Sequence, residues 1–106
     1  MVKAIEWESL RKLIKLGTPK LRLVDVREKS EFAEGAIPTA INVPLNTVPT
    51  YLRSESKGTK LIFYCLSGVR CKTAADLAIG LGFEDVEYYP GSWKEYSSLP
   101  VEKKLN

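Results

Sequence analysis

The sequence predicts an α/β layer fold with a largely parallel sheet. Short strand-like runs alternate along the chain with segments of helical spacing, the pattern of helices packed on a parallel sheet. The 106 residues are one domain's worth, without internal repeat or low-complexity stretch. The composition, 44% hydrophobic and 27% charged, is that of an ordinary globule. A chain of this size buries roughly two-thirds of its unfolded surface around a single core.

The elements follow in order. Trp7, Leu10, Leu13, Ile14 and Leu16 recur at helical spacing, and Gly17 is a good stop. Leu21 to Val26 reads as a buried strand. Lys29 to Glu34 reads as a short helical turn closed by Gly35, and Ala40 to Val43 as a short strand between Pro38 and Pro44. Pro49 to Ser54 fits a short helix with proline at its first position. Lys60 to Tyr64 is the clearest strand. After a turn containing Ser67 and Gly68, a helix shows Ala74, Leu77, Ala78 and Leu81 as an apolar face, with Gly82 as its cap. Asp85 to Tyr89 is the last strand, turned by Pro90-Gly91. In such folds ligands bind beyond the carboxyl ends of the strands, where Cys65 and Asp25 fall.

Composition narrows the chemistry. There is no histidine, which excludes Ser-His-Asp and Cys-His machinery and imidazole acid–base work. Two cysteines, Cys65 and Cys71, are too few for a tetrahedral Cys/His zinc site or a disulfide framework. The longest uncharged apolar run, Leu77 to Phe83, is far short of the ~20 residues that span a bilayer. Glu6 and Glu8 near the start argue against a presequence, so a cytoplasmic location with reduced thiols is expected. A net charge of +3 without a basic stripe argues against nucleic acid as partner.

The segment from Tyr64 to Cys71 carries the chemistry. It passes from strand to helix in about six residues, so it must curl, and Gly68 permits the sharpest point. The curl turns successive amides inward as an anion nest, and the following helix adds its positive end. With Arg70 nearby, such surroundings lower a cysteine pKa from about 8.5 into the range ~3.5–7.5. Cys65 is then a thiolate at neutral pH without a histidine base.

Leu23-Val24-Asp25-Val26-Arg27-Glu28, then Glu31-Phe32, Gly35, Ile37-Pro38 and Ala40-Ile41-Asn42-Val43-Pro44, stand ahead of the Cys65–Arg70 loop. Leu81-Gly82-Phe83, Val86 and Gly91-Ser92-Trp93 follow it. In this order and spacing the chain resembles the rhodanese family of sulfurtransferase domains over about residues 4–100. The resemblance implies a three-layer fold in which helices cover both faces of a central, mostly parallel five-stranded sheet. It implies one domain over residues 1–106, with a short tail at 101–106. It also implies that Cys65 takes sulfur from thiosulfate or a related donor as a persulfide and passes it to cyanide or a thiol. Leu66, Ser67, Gly68, Val69 and Arg70 would bind the persulfide, with no cofactor and no metal. The partners implied are a small anionic sulfur donor, a thiol or cyanide acceptor, and in a carrier role a protein acceptor, with no nucleic acid or membrane.

Four residues separate Cys65 from Arg70, whereas cysteine phosphatases place five. The smaller cup suits a sulfur atom, leaving phosphatase or arsenate reductase activity as the minor enzymatic alternative and a persulfide-carrying docking module as the non-enzymatic one. By family analogy Asp25 and Arg27 brace the site, with Arg27 toward the substrate entrance; a structural ion pair is the other reading. Ser67 either donates its hydroxyl into the cup or simply forms the turn. Cys71 stands where the family often has serine. It is either a near-isosteric replacement or a resolving thiol that closes a disulfide with Cys65. Ala36 and Thr39 replace a usual His and Gly, and Pro90 replaces the first of two glycines. Trp93 fills the core or the pocket rim, and Lys72 and Lys94 either draw anions to the mouth or line a solvated face.

Overall fold

The computed structural model describes residues 2–105. Five parallel strands form one sheet in the order β1-β5-β4-β2-β3: β1 (Lys3–Ala4), β2 (Leu21–Asp25), β3 (Ile41–Asn42), β4 (Lys60–Tyr64) and β5 (Val86–Tyr88). The central pair is β2 with β4, in register from Leu21 opposite Lys60 to Asp25 opposite Tyr64. Because every pairing is parallel, all the strands end at one edge of the sheet. The chain segments after Asp25, Tyr64 and Tyr88 therefore converge there.

Alternation along β4 divides its side chains between two cores. Leu61, Phe63 and Cys65 pack on one face with Val24 and Val26 of the β2 region. Ile62 and Tyr64 pack on the other with Leu23. The first face is covered by α3 (Val48–Ser54) and α4 (Val69–Gly80), through Val48, Leu52, Ala74, Ala75 and Ala78. The second is covered by α1 (Trp7–Lys15) and α5 (Ser92–Ser98), through Trp7, Leu10 and Tyr96. This is the expected three-layer arrangement. A short helix, α2 (Lys29–Ala33), follows β2.

Helix ends obey the glycine signals. Gly82 lies just past α4 at φ 96°, with the Gly82 amide donating to the Ile79 carbonyl and the Phe83 amide to that of Ala78. These two bonds satisfy the last carbonyls of the helix and seat Phe83 in the core. Gly17, at φ 63°, ends α1 with the same pair of bonds.

Several expectations need correction. The apolar face of α4 is not built on Leu77 and Leu81, which are exposed; Cys71, Ala74, Ala75 and Ala78 face the sheet instead. Small side chains let the helix approach the strands closely, whereas the larger leucines fit outside. α3 begins at Val48, so Pro49 takes its second position. β2, β3 and β5 are each shorter than expected, and neither the two-residue β1 nor the largely polar α5 was located by pattern. The tail beyond Pro100 turns back on the fold, with Trp7 Nε1 donating to the Lys103 carbonyl at 2.7 Å and the Leu105 amide to the Tyr96 hydroxyl. Among the described residues, no helix is long and apolar enough to cross a membrane.

Candidate active site

Cys65 is the first residue past β4 and is only 1% exposed. Its loop is clamped by the start of α5, whose Trp93 and Lys94 amides donate to the carbonyls of Cys65 (2.9 Å) and Leu66 (3.0 Å). In a trans peptide the next residue's N–H points opposite to the carbonyl. Holding these two carbonyls therefore turns the Leu66 and Ser67 amides to the other side of the loop. Gly68 then takes φ 105° and donates its amide to Cys65 Sγ at 3.1 Å. A Cβ at this position would lie 2.8 Å from the Pro90 carbonyl oxygen, so glycine is required for space as well as for conformation. α4 begins at the next residue. Its first amides have no partner inside the helix, and that of Cys71 is among the groups that lower the Cys65 thiol.

These contacts hold the Cys65 thiol down at about 5. The hydrogen bond from the Cys71 side chain contributes most; burial opposes it, and the amides of Cys71 and Gly68 and the Ser92 hydroxyl add to the lowering. Cys71 responds in the opposite sense. The bond to Cys65, burial and the neighbouring negative charge all push its thiol far up, so it keeps its proton. Cys71 is fully buried, 3.3 Å from the Gly68 carbonyl oxygen and 3.8 Å from Ser92 Oγ. Neither cysteine is in a disulfide.

Arg70 does not hold the sulfur directly. Its guanidinium makes a two-point ion pair with Glu31 on α2, at 2.9 and 3.1 Å. The Arg70 bond pulls the Glu31 carboxyl down to about 2 against burial, helped by the Glu28 amide. The arginine thus fastens the start of α4 to α2, and its charge reaches Cys65 only at longer range.

Asp25 and Arg27 form a second buried cluster. The Arg27 backbone amide, Nε and Nη2 all donate to the Asp25 carboxylate at 2.7–3.0 Å, and Nη2 also reaches the Gly35 carbonyl at 2.7 Å. The guanidinium lies 5.0 Å from the Trp93 ring centre and is only 2% exposed, so it faces its carboxylate partner rather than an entrance. Tyr64 accepts the Ile37 amide on its hydroxyl oxygen, and Asn42 Nδ2 donates to the Asp25 and Arg27 carbonyls. These bonds brace the segments after β2 and β4.

The remaining loop residues form a rim. Leu66 and Ser67 are exposed, as is Val69 at 74%. Lys72 pairs with Asp76 on the exposed side of α4. Trp93 is half-buried, lying over Gly35 and against Tyr96 at the margin of the core. Sequence reasoning missed two residues here: Glu31, which holds Arg70, and Ser92, whose hydroxyl accepts the Cys65 amide at 3.1 Å. Both stood inside recognisable motifs, but nothing local revealed their distant partners.

Comparison with known proteins agrees with this geometry. The model of the rhodanese-like domain matches residues 6–99. A mitochondrial thiosulfate sulfurtransferase of Saccharomyces cerevisiae is 36% identical, the match covering 89% of this chain and 72% of the relative. A human thiosulfate:glutathione sulfurtransferase is 32% identical, with 82% and 86% covered. The structure of a human single-domain sulfurtransferase superposes with a TM-score of 0.86 at 28% identity, covering 95% of this chain and all of that one.

Proposed function

The chain belongs to the rhodanese-like domain family, and from that premise we propose that it is a thiosulfate sulfurtransferase whose sulfur-carrying atom is Cys65 Sγ. One observation carries the reading: a buried cysteine sulfur at the carboxyl edge of the sheet accepts the Gly68 amide at 3.1 Å beside the Ser92 hydroxyl, surroundings that pull its thiol down to about 5.

In the first half-reaction the Cys65 thiolate attacks the outer sulfur of thiosulfate. The S–S bond of the donor breaks, sulfite leaves with its electron pair, and a persulfide remains on Cys65. The amides of the loop from Leu66 to Arg70 then stabilise the charged outer sulfur of the persulfide as an oxyanion hole stabilises oxygen. In the second half-reaction an acceptor thiolate or cyanide attacks the outer sulfur, and its electron pair returns to Cys65. The two steps form a ping-pong cycle.

Leu66, Ser67, Gly68, Val69 and Arg70 bound the persulfide site in this scheme. Gly68 supplies an amide, Arg70 holds the loop to α2, and Leu66 and Val69 give the mouth an apolar rim. Asp25 and Arg27 brace the scaffold. A small anionic donor suits the four-residue spacing between Cys65 and Arg70, and the name of the human relative supports a low-molecular-weight thiol as acceptor. Two free thiols suit a reducing compartment, the cytoplasm on this reading, although the yeast relative is named mitochondrial.

The test is sulfite release from thiosulfate with glutathione or cyanide as acceptor, beside turnover of a generic phosphate ester. The wild type should release sulfite and leave the ester intact. Cys65→Ser should lose on the order of 10³-fold or more, as removal of a covalent nucleophile does. Ester hydrolysis without sulfur transfer would overturn the reading.

A further inference from the structure

Ser92 is an outlier. It is fully buried, yet its backbone sits at φ 55°, a conformation that side-chain-bearing residues rarely adopt and glycine adopts freely. A turn alone would be better served by glycine, so the serine side chain must be retained for what it touches. Its oxygen accepts the Cys65 backbone amide at 3.1 Å, and its proton is donated to the Tyr89 carbonyl at 2.8 Å. The same oxygen lies 3.8 Å from Cys65 Sγ and 3.8 Å from Cys71 Sγ. One hydroxyl thus meets the amide and the sulfur of the reactive residue, together with its neighbouring thiol.

We propose that Ser92 is a positioning residue for the sulfur on Cys65, holding the residue by its amide and setting both thiols around one hydroxyl. The assignment rests on Cys65 being the sulfur-carrying residue. A serine hydroxyl offers one proton and two lone pairs; here one lone pair takes the Cys65 amide and the proton goes to the Tyr89 carbonyl. The amide bond fixes where the loop leaves β4. The proton has two acceptors within reach, the Tyr89 carbonyl and Cys65 Sγ, so it can turn toward the sulfur when that atom is anionic. Ser92 is among the groups that lower the Cys65 thiol, as this geometry requires. With its backbone left-handed, Ser92 keeps its hydroxyl 3.8 Å from the sulfur while the next two residues, Trp93 and Lys94, hold the carbonyls of Cys65 and Leu66.

Ser92→Gly and Ser92→Ala separate the hydroxyl from the backbone conformation. Glycine removes the hydroxyl and relieves φ; alanine removes the hydroxyl and keeps the strain. The readout is the pH dependence of Cys65 alkylation by iodoacetamide, assigned to Cys65 by peptide mass mapping, with thermal melting of each variant. Both variants should titrate higher than the wild type, with alkylation at pH 5 slower by at least about threefold, the size of a weak hydrogen bond to a charged group. Ser92→Gly should melt above Ser92→Ala. If both variants titrate with the wild type, or only the alanine variant shifts, Ser92 is a turn residue and the proposal falls. Should the alanine variant fail to fold, the glycine variant decides the question by the same titration. Alkylation needs no sulfur donor, so this result is independent of whether thiosulfate is the substrate.

Discussion

Two buried polar clusters lie on opposite faces of the same strand end, and they treat charge in opposite ways. On the Tyr64 face, the Asp25 carboxylate and the Arg27 guanidinium neutralise each other through several hydrogen bonds, closed in by Trp93 and the Gly35 carbonyl. On the Cys65 face, one sulfur is made anionic by amides, a thiol and a hydroxyl, while the nearest loop cation, Arg70, is committed to Glu31. A charge locked to a countercharge holds a scaffold still. A charge held only by neutral donors remains free to attack. The sheet places both at its carboxyl edge, where the first supports the loops that carry the second.

The largest expected effect breaks the rigid side. Arg27→Ala leaves the Asp25 carboxylate buried and unpaired, which costs about 3–5 kcal/mol of stability. Denaturant unfolding at pH 5, where the Cys65 thiolate adds almost nothing to stability, should show that loss, while Cys65→Ser should there unfold near the wild type and yet transfer no sulfur. A reversal of the two results would dissolve the contrast between scaffold and reactive site.

Next comes the donor that contributes most to the thiolate. Cys71→Ala removes the thiol beside Cys65 and should raise the inflection of Cys65 alkylation from about 5, slowing the reaction at pH 5 about tenfold. Cys71→Ser should restore part of the effect, because its hydroxyl also donates. The sign for stability follows. Folded Cys65 is deprotonated above about 5, whereas an unfolded thiol keeps its proton up to about 8.5. Between these values the unfolded chain binds more protons, so this group's stabilisation is complete above the upper value and is lost as pH falls toward 5. Cys71→Ala should flatten that slope in pH-dependent unfolding.

The smallest effect lies outside both clusters. Thr39 is exposed and stands at φ 75°, where the family commonly has glycine. Thr39→Gly should raise stability by about 1 kcal/mol, since a β-branched residue is strained there, and should leave the Cys65 titration where it was. A shift in that titration would show that the segment before β3 communicates with the loop.

These contrasts also explain what was legible from residue order. The central strand, the curl at Gly68 and the sulfur of Cys65 are local features, written in neighbouring residues. So are the glycines that end α1 and α4. The parts that escaped depend on distance or on small side chains. Glu31 lies 39 positions from Arg70 and Ser92 lies 27 from Cys65, so neither pairing leaves a local trace. α4 meets the sheet through Cys71 and three alanines, which hydropathy ranks below the leucines that point outward. β1 is too short for alternation to register, and α5 packs mainly through Trp93 and Tyr96 within a polar run after Pro-Gly. The roles of Cys71 and Arg70 were both open to misassignment for the same reason. Charge suggested the arginine as the thiolate's partner, while packing brings the neutral thiol to it.

The central claim is that the sulfur moved by this protein is carried on Cys65. Intact mass after incubation with thiosulfate and removal of excess donor tests it directly, with Cys65→Ser and Cys71→Ser alongside. The wild type and Cys71→Ser should each gain the mass of one sulfur atom, lost again on adding a thiol, and Cys65→Ser should gain none. Sulfur retained by Cys65→Ser, or absent from the wild type, would contradict the account.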